Sequence, residues 1–141
     1  MNILLTILLL LNSGLILVQN FVQNRSPNRL TDIEWKLLKI EISETTEIQF
    51  ADTSCNIYIR FDNNGHYKGY TGWNWYFGDY SISDSASLSI NNLGSTEKMG
   101  SPNCKLGESL FKFFSLTREY KLNSDTLILV TTENNKLYFR K

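Results

Sequence analysis

Ile57, Ile59 and Phe61 alternate with Tyr58, Arg60 and Asp62, and Asn63-Asn64-Gly65 follows at once. A period of two puts the apolar side chains on one face of a strand and the polar ones on the other. Asn and Gly tolerate the positive φ that a tight hairpin turn needs. Residues 66–71 then return as the partner strand. This unit constrains the chain most, because strands joined by short turns pair antiparallel.

The same signal recurs along the chain. Residues 33–42 hold Trp35 and Leu37, then Leu38, Ile40 and Ile42, which fits a strand with a local irregularity. Residues 76–82 and 87–91 read as two strands. Residues 120–122, 126–132 and 136–140 close the chain as three more, with Asn134-Asn135 as the last turn. One segment changes period. Leu106, Leu110, Phe113 and Phe114 fall at i, i+4, i+7 and i+8, one face of an amphipathic helix over residues 105–116. Phe111 and Leu116 widen that face, and Asn103 or Ser101 is placed to cap its start. Seven or eight short strands and one late helix predict an α+β domain, mainly β, whose helix covers an apolar face or plugs an open end.

Residues 69–80 read Gly-Tyr-Thr-Gly-Trp-Asn-Trp-Tyr-Phe-Gly-Asp-Tyr. That mixture belongs to a tight turn between strands, where backbone shape and ring packing both matter. Trp73, Trp75, Tyr76, Phe77 and Tyr80 could line an apolar or sugar-binding pocket. In a chain with three Trp, seven Tyr and eight Phe, the default is that they fill the core and the sheet faces. A partly closed barrel has an interior sized for one small ligand, and this is the main binding expectation.

The 141 residues suffice for one domain. Fourteen basic residues balance fourteen acidic ones, so no electrostatic footprint for nucleic acid or an anionic membrane is expected. Residues 1–20 read as a signal peptide, because the apolar run from Ile3 to Val18 is short for a bilayer span. No Lys or Arg precedes that run and no small-x-small cleavage site follows it, which keeps an uncleaved membrane anchor as the alternative. No Cys occurs before Cys55, so a lipobox is absent. Residues 21–31 read as a polar linker and residues 32–141 as the domain. Export would place the mature domain in the secreted space, periplasm or envelope, with membrane contact only through a retained N-terminal segment. In that setting Cys55 and Cys104 permit one disulfide, the other reading being two unpaired cysteines. Two distant Cys and one His lack metal-ligand spacing, so no metal is expected.

Catalytic patterns are absent from the sequence. His66 is the single histidine and sits beside a hairpin turn, the setting of a solvated strand residue. Asp79 and Asp84 are close in sequence, as carboxylates in a solvated loop are. There is no G-x-S-x-G elbow, P-loop or G-x-G-x-x-G. Neither an enzyme nor a cofactor is expected.

The order of motifs resembles the META domain, also called the heat-shock protein HslJ family. Its opening W-x-L is matched by Trp35-Lys36-Leu37, and its strand and turn by Phe61-Asp62-Asn63-Asn64-Gly65. Its G-C-N-x-Y-x-G-x-Y aligns with Gly72, Trp73, Asn74, Trp75, Tyr76, Phe77, Gly78, Asp79 and Tyr80. Residues 96–102 stand where the family has T-x-M-A-C-P, and Glu108 and Phe111 match E-x-x-F. The two family cysteines are replaced by Trp73 and Ser101, so no role of theirs carries over. The resemblance implies a cracked, partly open antiparallel barrel with one helix, similar to pilot lipoproteins that bind an acyl chain. It implies a small exported or envelope domain linked to stress tolerance or protein interaction. The alternative is a carrier of a small apolar ligand in the barrel. Trp73, Asn74, Trp75, Tyr76, Gly78 and Tyr80 are the candidate motif or ligand contacts, with no catalytic residue among them. The partner is then an unidentified protein or a small apolar molecule.

Overall fold

A computed structural model describes residues 30–84, 86–98 and 103–141. Nine strands form one antiparallel sheet: β1 (Glu34–Ile42), β2 (Glu47–Phe50), β3 (Tyr58–Phe61), β4 (His66–Tyr70), β5 (Trp75–Ser83), β6 (Ser87–Ser95), β7 (Thr117–Asn123), β8 (Thr126–Thr131) and β9 (Lys136–Arg140). One helix, α1 (Lys105–Phe114), lies between β6 and β7. The expected signal peptide, most of the expected linker, Ser101 and the second half of the 96–102 motif lie outside the described residues. Among the described residues no helix is long and apolar enough to cross a membrane.

The barrel is closed, not cracked. β1 pairs with β9 from Lys36↔Arg140 to Glu41↔Lys136, which joins the first strand to the last. Eight strands therefore form the wall, and closure removes the unpaired edges that an open sheet would leave. The narrowest seam is β6–β7, where Ser87 faces Glu119 and the Tyr120 N–H donates to the Ala86 carbonyl at 2.9 Å. The ninth strand, β2, escaped the sequence pattern. It is four residues long, with Ile48 and Phe50 exposed rather than buried. It flanks the C-terminal half of β1, while β3 takes the N-terminal half of the same edge.

The irregularity expected in β1 is real. Leu37 faces Phe139 and Lys39 faces Tyr138, so Leu38 is an extra, exposed residue in the ladder. A second bulge sets Asn92 and Leu93 of β6 against Gly78 of β5. Such insertions bend and twist strands, and so help a sheet to close.

Alternation decides what fills the barrel. Trp35, Ile40, Ile59, Phe61, Tyr76, Leu88, Leu127, Leu129, Leu137 and Phe139 are buried. α1 plugs one end with its expected face, since Leu106, Leu110, Phe113 and Phe114 are buried. Phe114 meets the rings of Tyr67 and Tyr76 edge-on, at centroid distances of 5.0 and 5.6 Å. The helix start differs from expectation. The capping position is Cys104, which makes no side-chain cap hydrogen bond. A disulfide holds that residue instead.

Candidate functional site

The β4–β5 turn is clamped by its neighbours. The Thr71 N–H donates to the Asn74 carbonyl at 2.9 Å, and the Asn74 N–H donates to Thr71 Oγ1 at 3.0 Å. Gly72 has φ +85°, and a Cβ there would lie 2.8 Å from Cys104 Cβ. Cys104 is bonded to Cys55, with Cα atoms 5.7 Å apart. The disulfide thus ties the start of α1 to a 3-10 turn, Thr53–Cys55, and both rest on Gly72. Gly107 in the first turn of α1 sits against the Thr71 carbonyl, where no Cβ would fit.

Trp73 and Asn74 secure the chain leaving β6. Trp73 Nε1 donates to the Lys98 carbonyl at 3.1 Å. Asn74 Oδ1 accepts from the Lys98 N–H at 2.9 Å and from Thr96 Oγ1 at 3.1 Å. A cleft of about 370 Å³ opens beside them, lined by Thr71, Trp73, Asn74, Lys98, Glu108 and Phe111 among others.

From Trp75 onward, strand alternation divides the remaining candidates between two faces. Tyr76 points inward, is 1% exposed, and donates from its hydroxyl to the Tyr58 carbonyl at 2.8 Å. Burial pushes its pKa well above the usual value. Gly78 leaves room for the hydroxyl of Tyr67, its partner on β4. Tyr80 packs edge-on to Phe61 at 4.9 Å, and its hydroxyl donates to the Asp62 carbonyl. Trp75 and Phe77 point outward, 44% and 53% exposed. The six candidates therefore do not form one pocket.

What gathers around Trp75 is a set of residues the sequence reading did not connect. Register places Tyr58, Tyr70 and Trp75 side by side on β3, β4 and β5. The neighbouring row holds Arg60, Lys68 and Phe77. Trp75 meets Tyr70 at 5.2 Å and Tyr58 at 6.2 Å between ring centroids. Lys98 Nζ lies 5.9 Å from the centre of the Tyr70 ring. The signal was parity: Tyr58 and Tyr70 are out of phase with the buried Ile59 and Tyr67, and so face outward with Trp75.

His66 completes the outer face one row further on. Its Nδ1 is 2.7 Å from Asp79 Oδ1, and Asn92 Nδ2 donates to Asp79 Oδ2 at 2.6 Å. The hydrogen bond to Asp79 raises the His66 pKa, while those from Asn92 and His66 hold Asp79 low. Both side chains are exposed, although Asp79, expected in a solvated loop, lies in β5. Among the described residues no group of three or more His, Cys, Asp or Glu is arranged to hold a metal.

Fold and site define a small closed antiparallel barrel, plugged by one helix, with a disulfide-clamped turn and an aromatic outer face. The model of the META domain matches residues 28–141, and the chain belongs to the META domain family. A protein from Burkholderia xenovorans, solved by NMR, is similar at 21% identity and a TM-score of 0.64. That match covers 79% of this chain and 82% of the other. A DUF4847 family protein from Bacteroides vulgatus is similar at 12% identity and a TM-score of 0.56, over 79% of this chain and 94% of that one. These identities bear on fold alone. No curated protein matches the chain.

Proposed function

We propose that this META-domain chain is a non-enzymatic, exported interaction module of the cell envelope or secreted space, with a role in stress tolerance. The observation that carries the reading is the outward-facing aromatic cluster, exposed Trp75 and Phe77 beside half-buried Tyr58 and Tyr70, on a wall whose other side is filled. Exposed aromatic clusters with interleaved cations are the composition of interface hot spots. The Cys55–Cys104 disulfide supports an oxidising compartment. His66 and Asp79 lack a nucleophile beside them among the described contacts, which supports a role other than hydrolysis.

A carrier of an apolar ligand inside the barrel has less support. Phe61, Phe114, Tyr76 and Phe139 are buried in the interior, and each of these clefts is lined in part by exposed side chains such as Lys98, Lys68 or Lys36.

A photoreactive residue at position 77, introduced in the host organism, tests the interaction reading. A defined covalent adduct is expected there and not at Ser89, an exposed residue of β6. Equal labelling at both positions would overturn the reading.

A further inference from the structure

We propose that the outer face of β3, β4 and β5 binds an acidic polysaccharide, with sugar rings on Trp75 and Phe77 and carboxylates on Lys68, Lys98 and Arg60. The inference rests on the interaction reading and names its partner.

Four observations carry it. First, Trp75 and Phe77 are two residues apart on one strand, so their rings stand about 7 Å apart along an extended line. A linear polymer crossing the face meets both. Second, the rings of Tyr58 and Tyr70 both pack against the Trp75 ring and still leave it 44% exposed. The Phe77 ring lies over Gly94, where an added Cβ would come within 3.0 Å of Cε2. The Trp75 ring is oriented before any ligand arrives, so less conformational freedom is lost on binding. Aromatic faces carry negative quadrupole charge and attract the polarised C–H faces of sugars.

Third, among the described residues two cations on this face, Lys68 and Lys98, have no salt bridge, while Arg60 faces Glu34 of β1 in register and reaches Asp32 at 3.6 Å. These cations complement an anionic ligand at the edge of the aromatic row. Fourth, the disulfide points to an oxidising compartment, the setting of a domain that would meet surface or extracellular glycans.

Calorimetric titration of the purified protein with a galacturonate oligosaccharide tests the assignment, with an uncharged cello-oligosaccharide and oligo-dT as comparators. Saturable galacturonate binding is expected, at least tenfold tighter than the neutral sugar. Trp75→Ala is expected to weaken it at least tenfold, and Lys68→Ala several-fold with a shallower salt dependence, both with the fold retained and a melting temperature lowered by no more than several degrees. No galacturonate binding, equal affinity for the neutral sugar, or indifference to Trp75→Ala would overturn the proposal. Tighter binding of oligo-dT would assign the face to nucleic acid instead. A protein adduct at position 77 together with failed glycan binding would leave the interaction reading standing and remove this one. An absent adduct together with failed glycan binding would remove both.

Discussion

The Tyr76 ring lies directly over Gly69, its register partner on β4, and fills the space a side chain there would need. The same relation recurs between Tyr67 and Gly78, and on the outer face between Phe77 and Gly94. Glycines in strands weaken them unless a neighbouring ring covers the gap. Gly69→Ala is expected to cost about 1–3 kcal/mol, because the new Cβ meets both the Tyr76 ring and the Tyr58 carbonyl. Gly94→Ala should cost less, since the exposed Phe77 ring can swing away. Denaturant unfolding of both variants checks the order, and equal losses would contradict it.

Phe114 and Trp75 separate the inside of the barrel from the outside. Phe114→Ala removes a fully buried ring and is expected to cost about 3–5 kcal/mol. Trp75→Ala should cost no more than about 1 kcal/mol, because the ring is half exposed. A large loss at Trp75 would make it a core residue and remove the basis for an outer binding face.

The Cys55–Cys104 bond closes a separation of 49 residues. Chain-entropy reasoning gives roughly 4 kcal/mol for a loop of this length. Denaturant curves with and without reductant should differ by a large part of that amount. Coincident curves, with two titratable thiols in the native protein, would show that the bond is not formed.

His66 and Asp79 set a pH window. The His66 pKa is raised above its ordinary 6.5, so its contribution is complete below 6.5 and is lost as pH rises through the folded value. The Asp79 pKa is lowered below 3.8, so its contribution is present above 3.8 and is lost as pH falls through the folded value. The pair stabilises most between those limits. In Asp79→Asn the His66 pKa should fall toward 6.5 by NMR titration, and an unchanged value would contradict the pairing.

Strands with clean alternation, such as residues 57–61, were legible because one face is buried and the other is wet. So was α1, whose buried stripe is continuous. β2 was not: its period rests on Ile48 and Phe50 alone, in a strand of four residues, and both face solvent. Closure was not legible either: the β1–β9 pairing joins residues about a hundred positions apart, and no local pattern encodes it. The site was half legible. Residues 69–80 stood out, but reading them as one cluster ignored parity, which buries Tyr76 and exposes Trp75. Tyr58 and Tyr70 were visible as strand residues, yet only register brings them to Trp75.

The central claim is that the working surface is the outer aromatic face and not the barrel interior. NMR shift mapping during titration with a soluble envelope extract of the host tests it most directly. Shifts are expected at the Trp75 indole and at the amides of Lys68, Tyr70 and Phe77. Shifts centred instead on Tyr67, Leu110 and Phe114, with the outer face unmoved, would contradict the claim.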